Sequence, residues 1–179
     1  MAYKTLTTYI HDNVGHEILD LPRERWKKLG GVANDMYGLF KGEKSQLLDG
    51  VSFHTKLKAL RNNKDENILP HCFYIQESTR APGIPCAFIL FTLNSATKVF
   101  YVEYEAAQKG NGTLLRAGAE AYANDMGMGT VCLNMAWDKE VPGSEKLNRK
   151  FECTPDGGWD SLHGTSGEAT CRRDRLFSL

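Results

Sequence analysis

The chain has 179 residues, of which 41% are hydrophobic and 25% charged, the usual composition of one soluble globular domain. Its 22 Lys and Arg residues balance its 22 Asp and Glu residues, so the formal net charge is zero and no nucleic-acid partner is expected. No apolar run approaches the roughly 20 residues that a membrane helix needs. The first residues also lack the basic and apolar segments of a signal peptide. We therefore expect a cytoplasmic protein without a membrane partner.

The cysteines are dispersed and no CxxC pair occurs. An odd, widely spaced set is typical of reduced, mostly buried thiols, and the histidines do not cluster with them. We therefore expect no metal site. The five cysteines are Cys72, Cys86, Cys132, Cys153 and Cys171.

The first third of the chain predicts a strand and two helices. Residues 2–10 are β-prone, and Asp20 is a candidate N-cap for an amphipathic helix that extends to about residue 40. A loop-like segment, 41–50, precedes a shorter helix at 52–61. The apolar residues of the first helix are Trp26, Leu29, Ala33, Met36, Tyr37 and Phe40, and those of the second are Phe53, Leu57 and Leu60.

The middle of the chain predicts four strands. Residues 71–77 and 85–93 form an antiparallel hairpin, and 99–104 is the next strand because β-branched and aromatic residues dominate it. A glycine-bearing turn at 108–112 leads into an alanine-rich helix that Thr113 opens and Gly127 ends with a left-handed cap. The strand 129–136 then follows, most simply as a right-handed parallel crossover.

The last third predicts a short helix and two more strands. Ser144 is a candidate N-cap for a helix at 145–150, and strand candidates lie around Glu152 and Cys171. A polar, glycine-rich segment at 156–167 separates them. No repeat or linker interrupts the chain, so we expect residues 1–179 to form a single domain.

The turn at 108–112 has the features of a phosphate site. A turn that feeds a helix N-terminus presents unpaired backbone N–H groups and the positive end of the helix dipole. Glycines in such a turn allow close approach of a ligand to the backbone.

The element order and this turn resemble the GNAT superfamily of acyl-CoA-dependent N-acyltransferases. The family signature, Gln/Arg-x-x-Gly-x-Gly/Ala between the fourth strand and the third helix, matches Gly110 and Gly112, whereas Ala107 stands at the Gln/Arg position. The resemblance covers residues 68 to 155. It implies a mixed α/β (α+β) fold, a sheet of about seven strands flanked by about four helices.

The resemblance also implies acetyl-CoA or another acyl-CoA as co-substrate, without a metal, and a small-molecule or protein amine as acceptor. The fourth strand would splay from the fifth, so that backbone near Tyr104 and Ala106 pairs with pantetheine. Lys109 or Arg116 would meet the 3′-phosphate, unless they are solvated surface charges, as we also expect of the basic group 172–175. The pyrophosphate would rest on the backbone of Gln108, Lys109, Gly110, Asn111, Gly112 and Thr113.

Amine acylation requires a base for the attacking ammonium. Glu103 and Glu105 are the candidates, because the two-residue period of a strand would place them on one face, where each raises the pKa of the other. The alternative is that both face solvent. Asp138 is a third candidate, with loop capping as its other interpretation.

The general acid has several candidates in the sequence. The family uses a tyrosine on the fourth helix, and the segment 144–151 has none. A water or another tyrosine is the alternative, namely Tyr101, Tyr104 or Tyr122. Ser144 and Asn148 would bond pantetheine or serve as a cap and a surface residue.

Two further interpretations follow. Cys153 is expected to be a buried thiol rather than a nucleophile, because no histidine lies beside it in the sequence. Ala107 and the missing tyrosine also allow a catalytically inactive GNAT-like protein that binds and modulates another protein, since fold does not determine function. The sequence does not indicate the acceptor, the acyl chain length or the oligomeric state.

Overall fold

The computed structural model describes residues 16–20, 23, 26, 50–77, 85–107, 111–139 and 143–176. Within these ranges the chain forms helices and strands in a mixed order. They are β1 (His16–Asp20), α1 (Gly50–Arg61), β2 (Ile68–Glu77), β3 (Pro85–Asn94), β4 (Val99–Ala107), α2 (Asn111–Asp125), β5 (Thr130–Asp138), α3 (Gly143–Lys150), β6 (Thr154–Pro155), a 3₁₀ turn (Trp159–Ser161) and β7 (Ser166–Arg173).

The strands form one mixed sheet in the order β1-β2-β3-β4-β5-β7-β6. Only β4 and β5 pair in parallel, and α2 connects them. All other neighbours are antiparallel. The predicted mixed α/β sheet of seven strands is confirmed, as are the hairpin and the parallel crossover.

Helices cover both faces of the sheet. The face that we name the α2 face packs Phe73, Ile89 and Phe91 under Leu115 and Ala119 of α2. The opposite face, named the α1 face, has a smaller core. This core contains Cys72, Phe88 and Leu90 with Leu57 and Leu60 of α1, and also Trp26. Burial of both faces explains why β3 is a nearly continuous apolar run.

The predicted elements from α1 to α3 are present, and their boundaries lie within about three residues of the predicted ones. Gly127 has φ +79°, so the predicted left-handed cap after α2 is confirmed. Strands β2, β4 and β5 each extend beyond the predicted ends. Asp20 is the last residue of β1, a strand that was not predicted. Ser144 is not an N-cap, because α3 already begins at Gly143.

The strand around Cys171 is confirmed as β7, whereas near Glu152 only the two-residue β6 forms. Glu152 itself has φ +57° and lies in a turn. The predicted strand at 2–10, the loop at 41–49 and all but isolated residues of the first helix lie outside the described residues. Trp26 from that helix is buried, as expected of a core residue.

Candidate active site in the cleft between β4 and β5

The two parallel strands pair over only part of their lengths. Val99 to Val102 face Thr130 to Leu133, and no pairing continues beyond Val102 and Leu133. The rest of β4 stays paired with β3, to Ala107, and the rest of β5 stays paired with β7. The sheet therefore opens between β4 and β5 beyond these residues, and we name this opening the cleft.

A β-bulge marks the point where the cleft opens. On β3, Leu90 pairs with Tyr104 while its neighbour Phe91 pairs with Val102, so Glu103 is the extra residue. A bulge of this kind bends the strand and changes the direction of the side chains that follow it. The bulge therefore accounts for the divergence of β4 from β5.

The bulge also separates the two candidate bases. Before it, Val102 packs in the core of the α2 face. After it, Tyr104 and Ala106 pack against the core of the α1 face. Glu103 contacts α1, whereas Glu105 contacts α2. The prediction that the two carboxylates share one face is wrong, because the extra residue shifts the alternation by one position.

Glu103 belongs to a small polar cluster on the α1 face. Its Oε2 lies 2.8 Å from Nζ of Lys56, and its side chain is only 10% exposed. Burial lowers the pKa of Lys56, but the hydrogen bond and negative charge of Glu103 outweigh it and raise that pKa overall. Burial and then the Glu103 carboxylate raise the pKa of Tyr101, which keeps the phenol protonated at neutral pH. The carboxylate of Glu103, the ammonium of Lys56 and the phenol of Tyr101 therefore lie together where the cleft begins.

Glu105 belongs to a buried charge network on the α2 face. Its Oε2 accepts hydrogen bonds from Nη2 and Nε of Arg116 at 2.6 and 3.2 Å. Glu120 pairs with Arg116 on one side and with Arg173 on the other. Arg173 also donates to the carbonyl of Phe151. The network ties β4, α2 and β7 together.

The expectation that Arg116 and Arg173 are solvated charges is wrong. The side chains of Arg116, Glu120 and Arg173 are 1%, 0% and 8% exposed. Burial lowers the pKa of Arg116, but the carboxylates of Glu105 and Glu120 raise it above its ordinary value. Arg116 is thus buried and ion-paired with two carboxylates within the fold, and the proposal that it meets a 3′-phosphate has no support from its position.

The start of α2 lies at the end of β4. Gln108, Lys109 and Gly110 are outside the described residues, so their predicted phosphate contacts stay predictions. The helix begins at Asn111 rather than Thr113, which puts Gly112 in its first turn. The helix has no acidic side chain in that turn that would oppose an anion at its N-terminus.

Gly112 allows this helix start to approach its neighbours closely. A Cβ at this position would lie 3.3 Å from Cβ of Ala107 and 3.6 Å from Cδ2 of Leu147 on α3. Lys150 of α3 donates to Oγ1 of Thr113 at 3.3 Å. The helix start is therefore held between the end of β4 and the side of α3.

Ser144 and Asn148 of α3, the residues predicted to bond pantetheine, are joined by a hydrogen bond within the helix. Asn148 is 1% exposed and donates through Nδ2 to the carbonyl of Ser144 at 3.0 Å. It is therefore not a surface residue, and its Oδ1 accepts no hydrogen bond within the described part of the chain. The segment 143–150 contains no tyrosine. Asp138 is the last residue of β5.

Tyr122, another candidate acid, and Cys153, the candidate nucleophile, are both buried in the core of the α2 face. Tyr122 packs against His71 and Phe73, with ring centroids 5.3 Å apart in both cases, and burial raises its pKa. Cys153 is fully buried, and burial raises its pKa against the opposing effect of Arg116 and Arg173. The prediction that Cys153 is a buried thiol is confirmed.

The burial of the cysteine thiols predicts the order in which they react with an alkylating reagent. Burial raises the pKa of Cys171 to about 12 and raises that of Cys72 further, so almost no thiolate forms at neutral pH. Cys132 is only half-buried. In folded protein, iodoacetamide should therefore label Cys132 before Cys72, Cys153 and Cys171, as measured by peptide mass spectrometry. Denatured protein, in which all thiols react, is the control, and faster labelling of Cys153 would make it a nucleophile candidate again.

Within the described residues, no group of three or more His, Cys, Asp and Glu side chains is arranged to hold a metal ion. None of the helices described is both long enough and apolar enough to cross a membrane.

Solved structures with a similar fold include GNAT proteins and N-acetyltransferases. A GNAT-family acetyltransferase from Staphylococcus aureus Mu50 is 8% identical with a TM-score of 0.61, covering 91% of this chain and 99% of that one. Spermidine N-acetyltransferase from Vibrio cholerae, in complex with CoA and spermine, is 13% identical with a TM-score of 0.55, covering 92% and 97%. No protein-family model and no curated protein sequence gives a match.

A tandem GNAT protein from the clavulanic acid biosynthesis pathway is also similar, at 14% identity and a TM-score of 0.58. The alignment covers 79% of this chain but only 44% of the tandem protein. At these identities the likeness establishes the fold. The chain therefore has the GNAT fold, as the sequence resemblance implied.

Sequence reasoning missed three members of the site and its support. Lys56 lay on a helix that was predicted correctly, but nothing in the sequence connected it to Glu103. Glu120 and Arg116 are four residues apart on an alanine-rich helix, and that spacing was the available signal for an ion pair. Arg173 gave no comparable signal, because its partner lies 53 residues away.

Proposed function

We propose that this protein is an N-acyltransferase that moves an acyl group, acetyl in particular, from acyl-CoA to an amine. The observation that carries the proposal is the cleft between β4 and β5, with a nearly buried carboxylate, Glu103, at the residue where it opens. The GNAT fold of acetyltransferases supports the same function. Acyl-CoA is a substrate here, and no metal is required.

The residues around the cleft suit the parts of acyl-CoA. The backbone N–H groups at the start of α2, of Asn111, Gly112 and Thr113, are donors for the pyrophosphate, together with the turn that precedes them. Beyond Val102, β4 pairs with β3 and not with β5, and the backbone from Tyr104 to Ala106 is the proposed site of pairing with the pantetheine amides. Lys109 remains a candidate for the 3′-phosphate.

The proposed mechanism uses direct attack of the amine on the thioester. Glu103 accepts the proton of the attacking ammonium, because it is the carboxylate on the α1 face at the mouth of the cleft. Tyr101, protonated at neutral pH, donates a proton to the leaving sulfur in place of the missing helix tyrosine. Glu105 does not act as a base in this scheme. Its ion pair with Arg116 instead holds the end of β4 against α2.

The acceptor class follows from the charge at the site. A cationic amine can take the place of Lys56 beside the Glu103 carboxylate, which is mostly removed from solvent. Polyamines are therefore the first acceptors to test, followed by amino acids and peptides with a free N-terminus or lysine. Release of free CoA thiol in the presence of acetyl-CoA and each acceptor is the assay.

A substitution at Gly112 tests the cofactor part of the proposal. Gly112→Val adds a side chain where even a Cβ lies 3.3 Å from Ala107, so α2 must move away from β4. Such overpacking typically lowers the free energy of unfolding by about 1–3 kcal/mol. Because the start of α2 is displaced, we expect the affinity for acetyl-CoA, measured by isothermal titration calorimetry, to fall about tenfold or more.

Gly129→Ala is the matched control, because a Cβ there has no neighbour within 4 Å. Its affinity for acetyl-CoA should equal that of the wild type. Circular dichroism identifies any loss of fold in either variant. If folded Gly112→Val bound acetyl-CoA as tightly as the control, the start of α2 would not be part of the binding site.

Two observations favour the inactive alternative, in which the protein binds and modulates another protein. The helix α3 has no tyrosine, and Ala107 replaces the polar residue of the GNAT signature. A stable complex with one protein partner, purified without any acyl transfer to that partner or to amines, would favour this function. Transfer to any amine that depends on Glu103 would exclude it.

A further inference from the structure

Lys56 places a primary amine directly on the proposed catalytic base. Its Nζ lies 2.8 Å from Oε2 of Glu103, within the hydrogen-bond reach that proton transfer to a base requires. The side chain of Lys56 is 43% exposed, whereas that of Glu103 is 10% exposed. The ammonium of Lys56 is therefore in the position that an external amine must take to give its proton to Glu103.

The surroundings of Lys56 set it apart from the next lysine of the same helix. Lys58 is exposed and has no carboxylate partner within the described part of the chain. Lys56 is close enough to Glu103 and Tyr101 for each to affect its protonation. The amine, the base and the proton donor of the proposed mechanism thus form one cluster at the mouth of the cleft.

We infer that Lys56 is an acylation site of this protein and that its own active site transfers the acyl group to it from acyl-CoA. This inference depends on the proposed function. Glu103 takes a proton from the Lys56 ammonium, and the freed amine attacks the thioester carbonyl carbon. A C–N bond forms, the C–S bond breaks, and the CoA sulfur leaves with a proton. The products are Nζ-acyl-Lys56, free CoA thiol and one proton released to solvent.

The modification would change the site on which it occurs. Acylation removes the positive charge of Lys56 and with it the ion pair to Glu103. The carboxylate then becomes available to an external amine. Lys56 in its unmodified form competes with such an amine, and the acylated form does not.

Mass spectrometry after incubation with isotope-labelled acetyl-CoA tests the inference. We expect label on Lys56 to exceed label on Lys58 by about tenfold or more, because an amine held beside its base reacts at a high effective concentration. The fraction labelled per minute should be independent of protein concentration, as expected for an intramolecular step. Glu103→Gln should reduce labelling of Lys56 to the level of Lys58, and Lys56→Arg should remove that labelled peptide.

Calorimetry with acetyl-CoA on the same sample shows whether a negative result refutes self-acylation alone or the proposed function as well. If acetyl-CoA binds and Lys56 carries no more label than Lys58, self-acylation is refuted while the proposed function stands. If folded protein does not bind acetyl-CoA, both are refuted. The comparison of Lys56 with Lys58 is made in the wild-type protein, so it does not depend on the folding of any variant.

Discussion

Glu103→Gln is expected to lower kcat for acyl transfer by about 100- to 10,000-fold, the usual contribution of a general base. The amide has the size of the carboxylate but cannot accept the proton of the attacking ammonium. The affinity for acetyl-CoA should not change, because Glu103 lies on the α1 face and the proposed cofactor contacts are backbone groups. The measurements are steady-state kinetics with acetyl-CoA and a polyamine acceptor, and calorimetry with acetyl-CoA.

Two measurements distinguish a catalytic effect of Glu103→Gln from a structural one. The variant should lose the acidic limb of the pH–rate profile, which protonation of a carboxylate base produces. Glu66→Gln, at an exposed loop position, is the matched control and should have wild-type kinetics. A folded Glu103→Gln variant with kcat within about twofold of wild type would exclude Glu103 as the base.

Arg116→Met is expected to lower the free energy of unfolding by about 3–5 kcal/mol, the usual effect of removing one partner from a buried ion pair. The substitution leaves Glu105 and Glu120 largely out of solvent without the cation between them. The predicted loss is a large part of the 5–15 kcal/mol by which typical domains are stable. Guanidinium chloride unfolding, followed by circular dichroism, measures it.

The controls for Arg116 use an exposed ion pair and a compensating variant. Arg175 pairs with Glu152, and both side chains are more than half exposed, so Arg175→Met should cost no more than about 1 kcal/mol. Adding Glu105→Gln to Arg116→Met should recover part of the stability, because it removes the charge left without a partner. Equal losses of unfolding free energy in Arg116→Met and Arg175→Met would contradict the stabilising role of the buried charge network.

Local sequence patterns predicted the fold well because the strands and α2 have strong, uninterrupted signals. The apolar run of β3 and the alanine-rich α2 bounded by Gly127 each indicate one element type. The short β6 and the start of α3 were predicted less well. Their boundaries depend on packing against β7 and β5 rather than on their own residues.

The site was predicted only in part because its geometry depends on one extra residue. The two-residue period of a strand correctly drew attention to Glu103 and Glu105, but it holds only for a regular strand. The bulge at Glu103 is formed through pairing with β3, and no local pattern in β4 predicts it. The extra residue at the bulge therefore places the two carboxylates on opposite faces of the sheet. Glu103 contacts Lys56, and Glu105 contacts Arg116.

The buried charges show the same limit. Sequence alone treats an arginine as a surface residue, because charged side chains are rarely buried unless they are paired. The partners of Arg116 and Arg173 come from β4 and α2, and only the folded chain brings them together.

Titration of the wild-type protein with acetyl-CoA by isothermal titration calorimetry tests the central claim most directly. If acyl-CoA occupies the cleft between β4 and β5 and the start of α2, the titration should give one saturable site per chain, and unlabelled CoA should compete for it. Absence of any binding heat and of CoA competition at millimolar ligand, in protein shown to be folded, would contradict the claim and the acyltransferase function with it.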